Sequence, residues 1–219
     1  MTIDYHSHIL PSMDDGARDI DESIKLLSVL RSQGVNKVCL TPHYNVSGTV
    51  SEWDKNRKAS FEILKNAAEG KDLPALQLGA EVLISKGISN IENFEKLIIE
   101  GTDYILLELP WRKYSPWMSE EIDSIIAKYK VTPILAHIDR YLTWYKLEDF
   151  FEKFDFADVV YQINVSSLKS LGFRMKVKKL MKKGYHIVFG SDTHSIDERP
   201  PHFDLFQKHI DKNTVENVL

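Results

Sequence analysis

With one cysteine in 219 residues, Cys39, the chain cannot close an internal disulfide. Cys39 lies inside the apolar run Lys37-Val38-Cys39-Leu40-Thr41, where a small buried strand side chain is its expected role. No phosphate-cradling loop follows it, so the usual cysteine-dependent phosphatase chemistry is not encoded. No run of eighteen apolar residues is present, so an integral membrane protein is not expected. Nor does a charged start lead through an apolar segment to a small-residue cleavage site, and a cytoplasmic location is expected. The 28 basic residues are outnumbered by 32 acidic ones, which leaves no basic excess to counter a nucleic-acid backbone. Linkers and low-complexity tracts are absent as well. At 43% hydrophobic, the chain can bury one large core, and a single domain over residues 1–219 is expected.

What is present is an alternation of short apolar strands and amphipathic helices. Strands are expected over Thr2–His6, Asn36–Thr41, Ala75–Leu83, Asp103–Leu107, Val131–Ala136, Val159–Asn164 and Tyr185–Gly190. Helices are expected over Asp19–Gln33, Ser51–Glu69, Ser89–Glu100, Ser119–Lys130, Leu147–Phe156 and Ser167–Lys183, with Ser51, Ser89 and Ser119 at helix starts. The tail Phe203–Leu219 reads as partly helical and ends without a stop signal. Seven β-then-α units with short connections imply an α/β fold of parallel strands. Closure into a distorted, TIM-like (β/α)7 barrel would remove both sheet edges.

Side chains that ligate metals collect at the ends of these strands. His6 and His8 end the first strand, one residue apart and therefore on the same side. Asp15 follows in the next loop, His43 follows strand two and Glu81 ends strand three. Glu108, His137, then Asp192 and His194 follow strands four, five and seven, and only strand six, ending at Asn164, brings none. Singly, each reads equally as a loop residue in water. Together they place nine nitrogen and oxygen donors where the strand ends of an α/β barrel converge. Four clustered carboxylates need cations to neutralise them, and nine donors exceed what one ion uses, so two or three ions sharing a carboxylate are expected. The remaining histidines, His186, His202 and His209, fall at a strand start or in the tail. Aromatic and basic residues also lie on the loop side: Tyr44, the stretch Trp111–Trp117, Tyr141, Trp144 and Tyr145. They suit an aromatic, anionic substrate or simply pack the loops. The basic helix Leu168–Lys183 reads as a solvated outer face, or less readily as a dock for an acidic partner or a membrane surface.

The segments HSHILPSMDDG, TPHY, LGAEV, LLELP, LAHIDRY and GSDTHS, in this order from Ile3 to about Arg199, resemble the PHP superfamily. More closely, they resemble the bacterial manganese-dependent protein tyrosine phosphatases of capsule and exopolysaccharide clusters. The resemblance implies the PHP fold and three divalent metal ions, most readily manganese, with iron or zinc as alternatives. His6, His8, Glu81 and Asp192 would hold the first ion. Glu81 would bridge to a second, shared with Glu108 and His137, and Asp15, His43 and His194 would hold the third. Arg140 and Arg199 would contact the phosphate, with hydroxide formed at the metals attacking phosphorus and His43 or a water assisting the leaving group. The implied substrate is phosphotyrosine on an autophosphorylating bacterial tyrosine kinase that regulates polysaccharide synthesis and would bring the enzyme near the membrane surface. The metal cluster alone equally admits a small-molecule phosphoesterase such as histidinol phosphatase, and the charge and length count against a DNA-processing module.

Overall fold

The computed structural model describes residues 1–45, 48–156 and 158–211. Its first half runs β1 (Ile3–Asp4), α1 (Ile20–Ser32), β2 (Lys37–Leu40), β3 (His43–Tyr44), α2 (Val50–Ala68), β4 (Ala75–Leu78) and β5 (Glu81–Leu83). Then come β6 (Tyr104–Glu108), α3 (Pro116–Tyr129), β7 (Thr132–Leu135), α4 (Ile138–Tyr141) and α5 (Leu147–Phe154). The last described elements are β8 (Val160–Asn164), α6 (Leu171–Lys182), β9 (His186–Gly190) and α7 (Phe203–His209). The remainder of the expected tail helix, residues 212–219, lies outside the described residues.

All named strand pairs are parallel, in two sheets of order β1-β2-β4 and β3-β5-β6-β7-β8-β9. Beyond the expected second strand the chain resumes pairing after Thr41-Pro42 as the short β3, and the expected third strand is broken in two at Gly79-Ala80. Pro42 has no N–H to give a ladder, but its carbonyl still accepts from Glu81 N at 3.1 Å. Gly79 N likewise reaches Leu40 O at 2.8 Å, so backbone bonds span both breaks. On the far side, Tyr5 N donates to Phe189 O (3.1 Å), Asp192 N to His6 O (2.8 Å) and His8 N to Thr193 O (2.9 Å).

Alternate strand residues divide between two cores, as a period of two requires. Val38, Leu40, Ile105, Leu107, Leu135, Tyr161, Ile163, Ile187 and Phe189 join the larger core with the helices. Their neighbours Cys39, Leu106, Ile134, Ala136, Val160 and Val188 form a smaller core with Ile3, Tyr5 and Ile99. Cys39 is therefore the buried strand residue expected of it. Along β6 and β8 the small-core row turns polar toward the C-terminal end, from Leu106 to Glu108 and from Val160 through Gln162 to Asn164.

Helix boundaries depart from expectation where the side-chain spacing is not helical. Residues 89–100 form no α-helix; 3₁₀ turns occupy Ile88–Asn90 and Phe94–Leu97. Ile88, Ile91, Phe94 and Leu97 recur every three residues, the period of a 3₁₀ rather than an α turn, and Asn93 is left-handed at φ +61°. Thr49, not Ser51, caps α2 by accepting from Glu52 N. The next helix starts at Pro116 rather than Ser119, proline being suited to the first turn. Glu121 consequently leaves the first turn, and its carboxylate accepts from Gly87 N and Ser89 N instead.

Candidate metal centre

Ser7 is pinned between neighbouring strands, bridging to Thr193 and donating its hydroxyl to Cys39 O at 2.8 Å. The two flanking imidazoles are thereby driven together, with His6 Nε2 and His8 Nε2 3.0 Å apart. Glu81 Oε2 lies 3.2 and 3.3 Å from these nitrogens. Asp192 Oδ1 lies 3.7 and 3.6 Å from them. The first expected donor group is thus assembled. His137 Nε2 stands 2.9 Å from Glu81 Oε1 and 3.4 Å from Glu108 Oε1, the members of the second expected group, while His43 also comes within reach of Glu81 and Glu108. Asp15 Oδ1 is 3.4 Å from both His43 Nε2 and His194 Nε2, and His8 joins this third group. His43 also turns Nδ1 to Glu81 Oε2 at 2.9 Å. Glu81 is therefore the side chain that His6, His8, His43 and His137 all approach.

His137 and Asp192 take left-handed backbone, φ +33° and +52°. For residues with a Cβ this conformation is costly and concentrates at functional sites. Here it turns the chain sharply at the ends of β7 and β9.

A supporting layer holds these donors, and it was not read from the sequence. Asp14 Oδ2 contacts His8 Nδ1 at 2.7 Å. Gln162 Oε1 faces His6 Nδ1 at 3.0 Å and accepts His137 N at 2.6 Å. Gln162 donates to Asn164, whose amide donates to Asp192 Oδ2 at 2.9 Å. Strand six, which brings no ligand-type residue, supplies this orienting amide pair. Asp4 accepts from Ser191 N, Ser191 Oγ and His6 N, tying β1 to the turn that carries Asp192. Burial pushes the Asp4 carboxyl up to about 7 despite those bonds.

Electrostatics follow from crowding in a dry interior. Burial opposes a charged His8, but its bonds to Asp14 and Glu81 prevail and raise its pKa to about 10. For His137 burial is likewise outweighed by Glu108 and Glu81, giving about 9. Burial, then cationic His8 and Arg199, press His194 down to about 3. Burial would raise Glu81 and Asp192, but the surrounding imidazoles, joined by Arg140 at Asp192, hold both well below the ordinary carboxylate range.

The donor set fits divalent cations. Glu81 Oε2, His137 Nδ1 and His194 Nε2 are buried with no hydrogen-bond partner among the described residues. Glu81 Oε2 nevertheless has three imidazole nitrogens within 3.3 Å. Imidazole and carboxylate without thiolate is a donor chemistry for manganese, iron or zinc.

At the rim, Arg140 Nη2 and Arg199 Nη2 grip opposite oxygens of Asp192, at 2.5 and 2.7 Å. Beyond them lies a cavity of about 310 Å³ whose walls include Asn164, Lys169 and His202. His202, placed in the tail by its sequence position, thus lies beside the arginines. His186 is exposed at the start of β9, and His209 faces Arg174. Of the loop aromatics, Tyr44 and Tyr141 are buried, whereas Trp111 and Trp144 are open to solvent.

Fold and site together define an α/β protein of parallel strands carrying a cluster of nitrogen and oxygen donors at its strand ends. Residues 2–219 match the CpsB/CapC family of capsular polysaccharide synthesis, and the chain belongs to that family. It is 32% identical over 208 residues to CapC of Staphylococcus aureus, spanning 90% of this chain and 79% of that protein. With the tyrosine-protein phosphatase CpsB of Streptococcus pneumoniae it shares 27% identity over 220 residues, 94% of this chain and 90% of that protein. Its fold matches a structure from the set described as YwqE of Bacillus subtilis and CpsB of Streptococcus pneumoniae, unique metal-dependent tyrosine phosphatases. That match has a TM-score of 0.77 at 23% identity and covers 97% of this chain and 89% of the other.

Proposed function

We propose that this chain is a metal-dependent protein tyrosine phosphatase of the PHP type. Its substrate would be phosphotyrosine on an autophosphorylating bacterial kinase that regulates capsular or exopolysaccharide synthesis. The observation that carries this function is the meeting of nine donors from six strand ends beside two arginines that share one carboxylate. Named relatives in the same family are tyrosine-protein phosphatases, and family membership supports the capsule context. No helix among the described residues is long and apolar enough to cross a membrane; a cytoplasmic enzyme that meets its kinase at the membrane surface accords with this.

We take residues 1–219 as one domain and its two sheets as one distorted seven-stranded barrel. Support comes from the backbone bonds across both strand breaks and between the β1 and β9 segments. The small core, to which most strands contribute, would be the barrel interior. His6, His8, Glu81 and Asp192 would hold one ion, Glu81, Glu108 and His137 a second, and Asp15, His43 and His194 a third. When bound, divalent cations supply Lewis acidity and allow water to ionise near neutral pH. Arg140 and Arg199, about one-third exposed beside their shared carboxylate, are placed to turn planar N–H forks toward phosphoryl oxygens. The buried histidines keep bulk water from the reacting face. His43 is the most open of the five site histidines, and so it or a water it holds is placed to serve the leaving group. A phenol of pKa about 10 needs little such help.

The test is phosphate release from a phosphotyrosyl peptide, with histidinol phosphate and single-stranded DNA as rivals, using metal-stripped enzyme repleted with manganese. Preference for the phosphotyrosyl peptide and three manganese ions per chain are expected. His137→Ala abolishes turnover, while His209→Ala retains it. Preference for either rival substrate overturns the function, and fewer ions per chain overturns the three-ion assignment.

A further inference from the structure

Two tryptophans stand exposed at the mouth of the site, Trp111 at 62% and Trp144 at 45%. Their ring centroids lie 4.1 Å apart. Trp111 follows Glu108 by three residues and Trp144 follows Arg140 by four, so each is carried by a segment that also supplies a site residue. Behind them is Tyr141, 5.9 Å from the Trp111 ring and 6.2 Å from that of Trp144. The inner side of Tyr141 stacks on His137 at 6.2 Å and 26°. The rings thus form a ladder from the donor cluster outward whose last rung faces solvent.

The ladder is braced. The buried Tyr141 hydroxyl donates to Leu109 O, joining the end of α4 to the loop after β6. Tyr145 Oη accepts from Tyr114 N at 2.6 Å, which ties the loop after α4 to the same loop. Large aromatic side chains are seldom left open in this way without a partner. A rigid, exposed indole pair offers a flat face to another ring.

We propose that Trp111 and Trp144 form the platform that receives the phenyl ring of the substrate, so that the enzyme selects aryl over alkyl phosphate monoesters through them. This rests on the phosphatase function proposed above. A phosphoryl group at Arg140 and Arg199 directs its ester group outward, and α4, which bears Arg140, runs through Tyr141 toward this platform. The arginines recognise only the phosphoryl oxygens and are indifferent to the group beyond. The indole faces add a contact that an aryl ester makes and an alkyl ester does not.

The experiment uses manganese-loaded enzyme, a phosphotyrosyl peptide as substrate, and two competitive inhibitors, phenylphosphonate and inorganic phosphate. In the Trp111→Ala/Trp144→Ala variant, the KM for the peptide and the inhibition constant of phenylphosphonate rise. The expected rise is between about twofold and about tenfold per ring removed. The inhibition constant of inorganic phosphate, which has no ring, and kcat stay unchanged. Trp111→Phe/Trp144→Phe keeps flat faces and recovers most of the loss. Phenylphosphonate quenches tryptophan fluorescence in the parent enzyme, and the quench disappears in the Phe variant although Trp53 and Trp117 remain. Turnover of the peptide with unchanged phenylphosphonate inhibition in the Ala variant overturns the platform and leaves the function standing. An equal rise for inorganic phosphate means a general disturbance of the site and also overturns the platform. No turnover of the peptide by the parent enzyme overturns the function and the platform with it.

Discussion

His8 Nδ1 stands 2.7 Å from Asp14 Oδ2, and this contact decides which nitrogen of His8 is left for the donor cluster. The same carboxylate accepts His43 N at 2.9 Å and Gly16 N at 3.0 Å. One buried side chain therefore orients the His8 ring, anchors the backbone of His43 and closes the turn between them. Its neighbour Asp15 is two-thirds exposed and faces His43 and His194 directly. Adjacent in sequence, the two aspartates have different work.

An amide in place of that carboxylate keeps the size of the group but removes the charge that favours the required ring orientation. Partners of this kind typically contribute ten- to a hundredfold in metal affinity. Asp14→Asn is therefore expected to weaken manganese binding by about that factor while kcat at saturating metal falls less. Titration of metal-stripped enzyme with manganese, read by activity and by bound metal, checks it. Unchanged affinity would leave Asp14 with a purely structural role.

Metal binding should also expel protons. Without metal, His8 and His137 have pKa values of about 10 and about 9 and are cationic at neutral pH. Ligation requires the neutral ring, so both protons must leave. His194, at about 3, is already neutral and releases none. Manganese affinity is expected to rise with pH from about 6 until these groups deprotonate near 9 to 10. Calorimetry in buffers of different ionisation enthalpy at pH 7 should find at least two protons released per chain, from His8 and His137, with His43 adding to them because its bond to Glu81 outweighs burial and raises it too. The metal-free chain should show the converse. A raised histidine pKa contributes stability that is fully present below the ordinary value of about 6.5 and is lost as pH rises through the folded value. Its melting temperature should fall between pH 7 and 10 relative to the loaded enzyme.

The grouping of donors was legible because all of them but the loop residue Asp15 stand at or just beyond the C-terminal end of an apolar strand run, where polar groups have few structural reasons to exist. Gln162 and Asn164 were not, since amides in a strand look the same whether they face water or a ligand. Asp14 was hidden beside Asp15 for the same reason, as burial separates them and chemical type does not. The α/β alternation was legible from hydrophobic periodicity. The interruption at Gly79 was legible from the glycine itself, whereas β3 beyond Pro42 was not, because two paired residues are too short to show a period. Residues 89–100 misled because apolar spacings of three and of three-to-four overlap over so short a stretch. His202 was set aside on its distance along the chain, yet the crossing before α7 returns it to Arg199.

Cys39 gives a prediction against thiol chemistry. It is fully buried among strand residues, burial pushes its thiol far above the ordinary range, and its side chain points to Gln77. The thiolate needed for nucleophilic attack is thus scarce and unreachable. Iodoacetamide on the folded enzyme is expected to leave activity intact, and Cys39→Ala should retain kcat while losing on the order of 1 kcal/mol of stability. Vanadate should still inhibit. Inactivation by alkylation, with the modification mapped to Cys39, would refute this.

Gly190 ends β9 at the closest approach between the strands that carry the site. A Cβ there would lie 2.6 Å from His6 Cβ and 2.7 Å from Gln162 Nε2, so both contacts must be relieved. Neither moves freely: Gln162 Oε1 meets both His6 Nδ1 and His137 N, and displacing it disturbs ligands from two strands at once. Gly190→Ala is therefore expected to cost about 1–3 kcal/mol through overpacking and to weaken manganese binding as well. Gly172, exposed near the start of α6, provides the contrast. A Cβ there would meet only Ser170 Oγ, at 3.8 Å. Gly172→Ala should be neutral or stabilising by up to about 1 kcal/mol, because alanine favours the helix, with metal affinity unchanged. Denaturant midpoints and manganese titrations of the two variants decide the matter. Equal behaviour would mean that the close approach of β9 to His6 does not position the metal ligands.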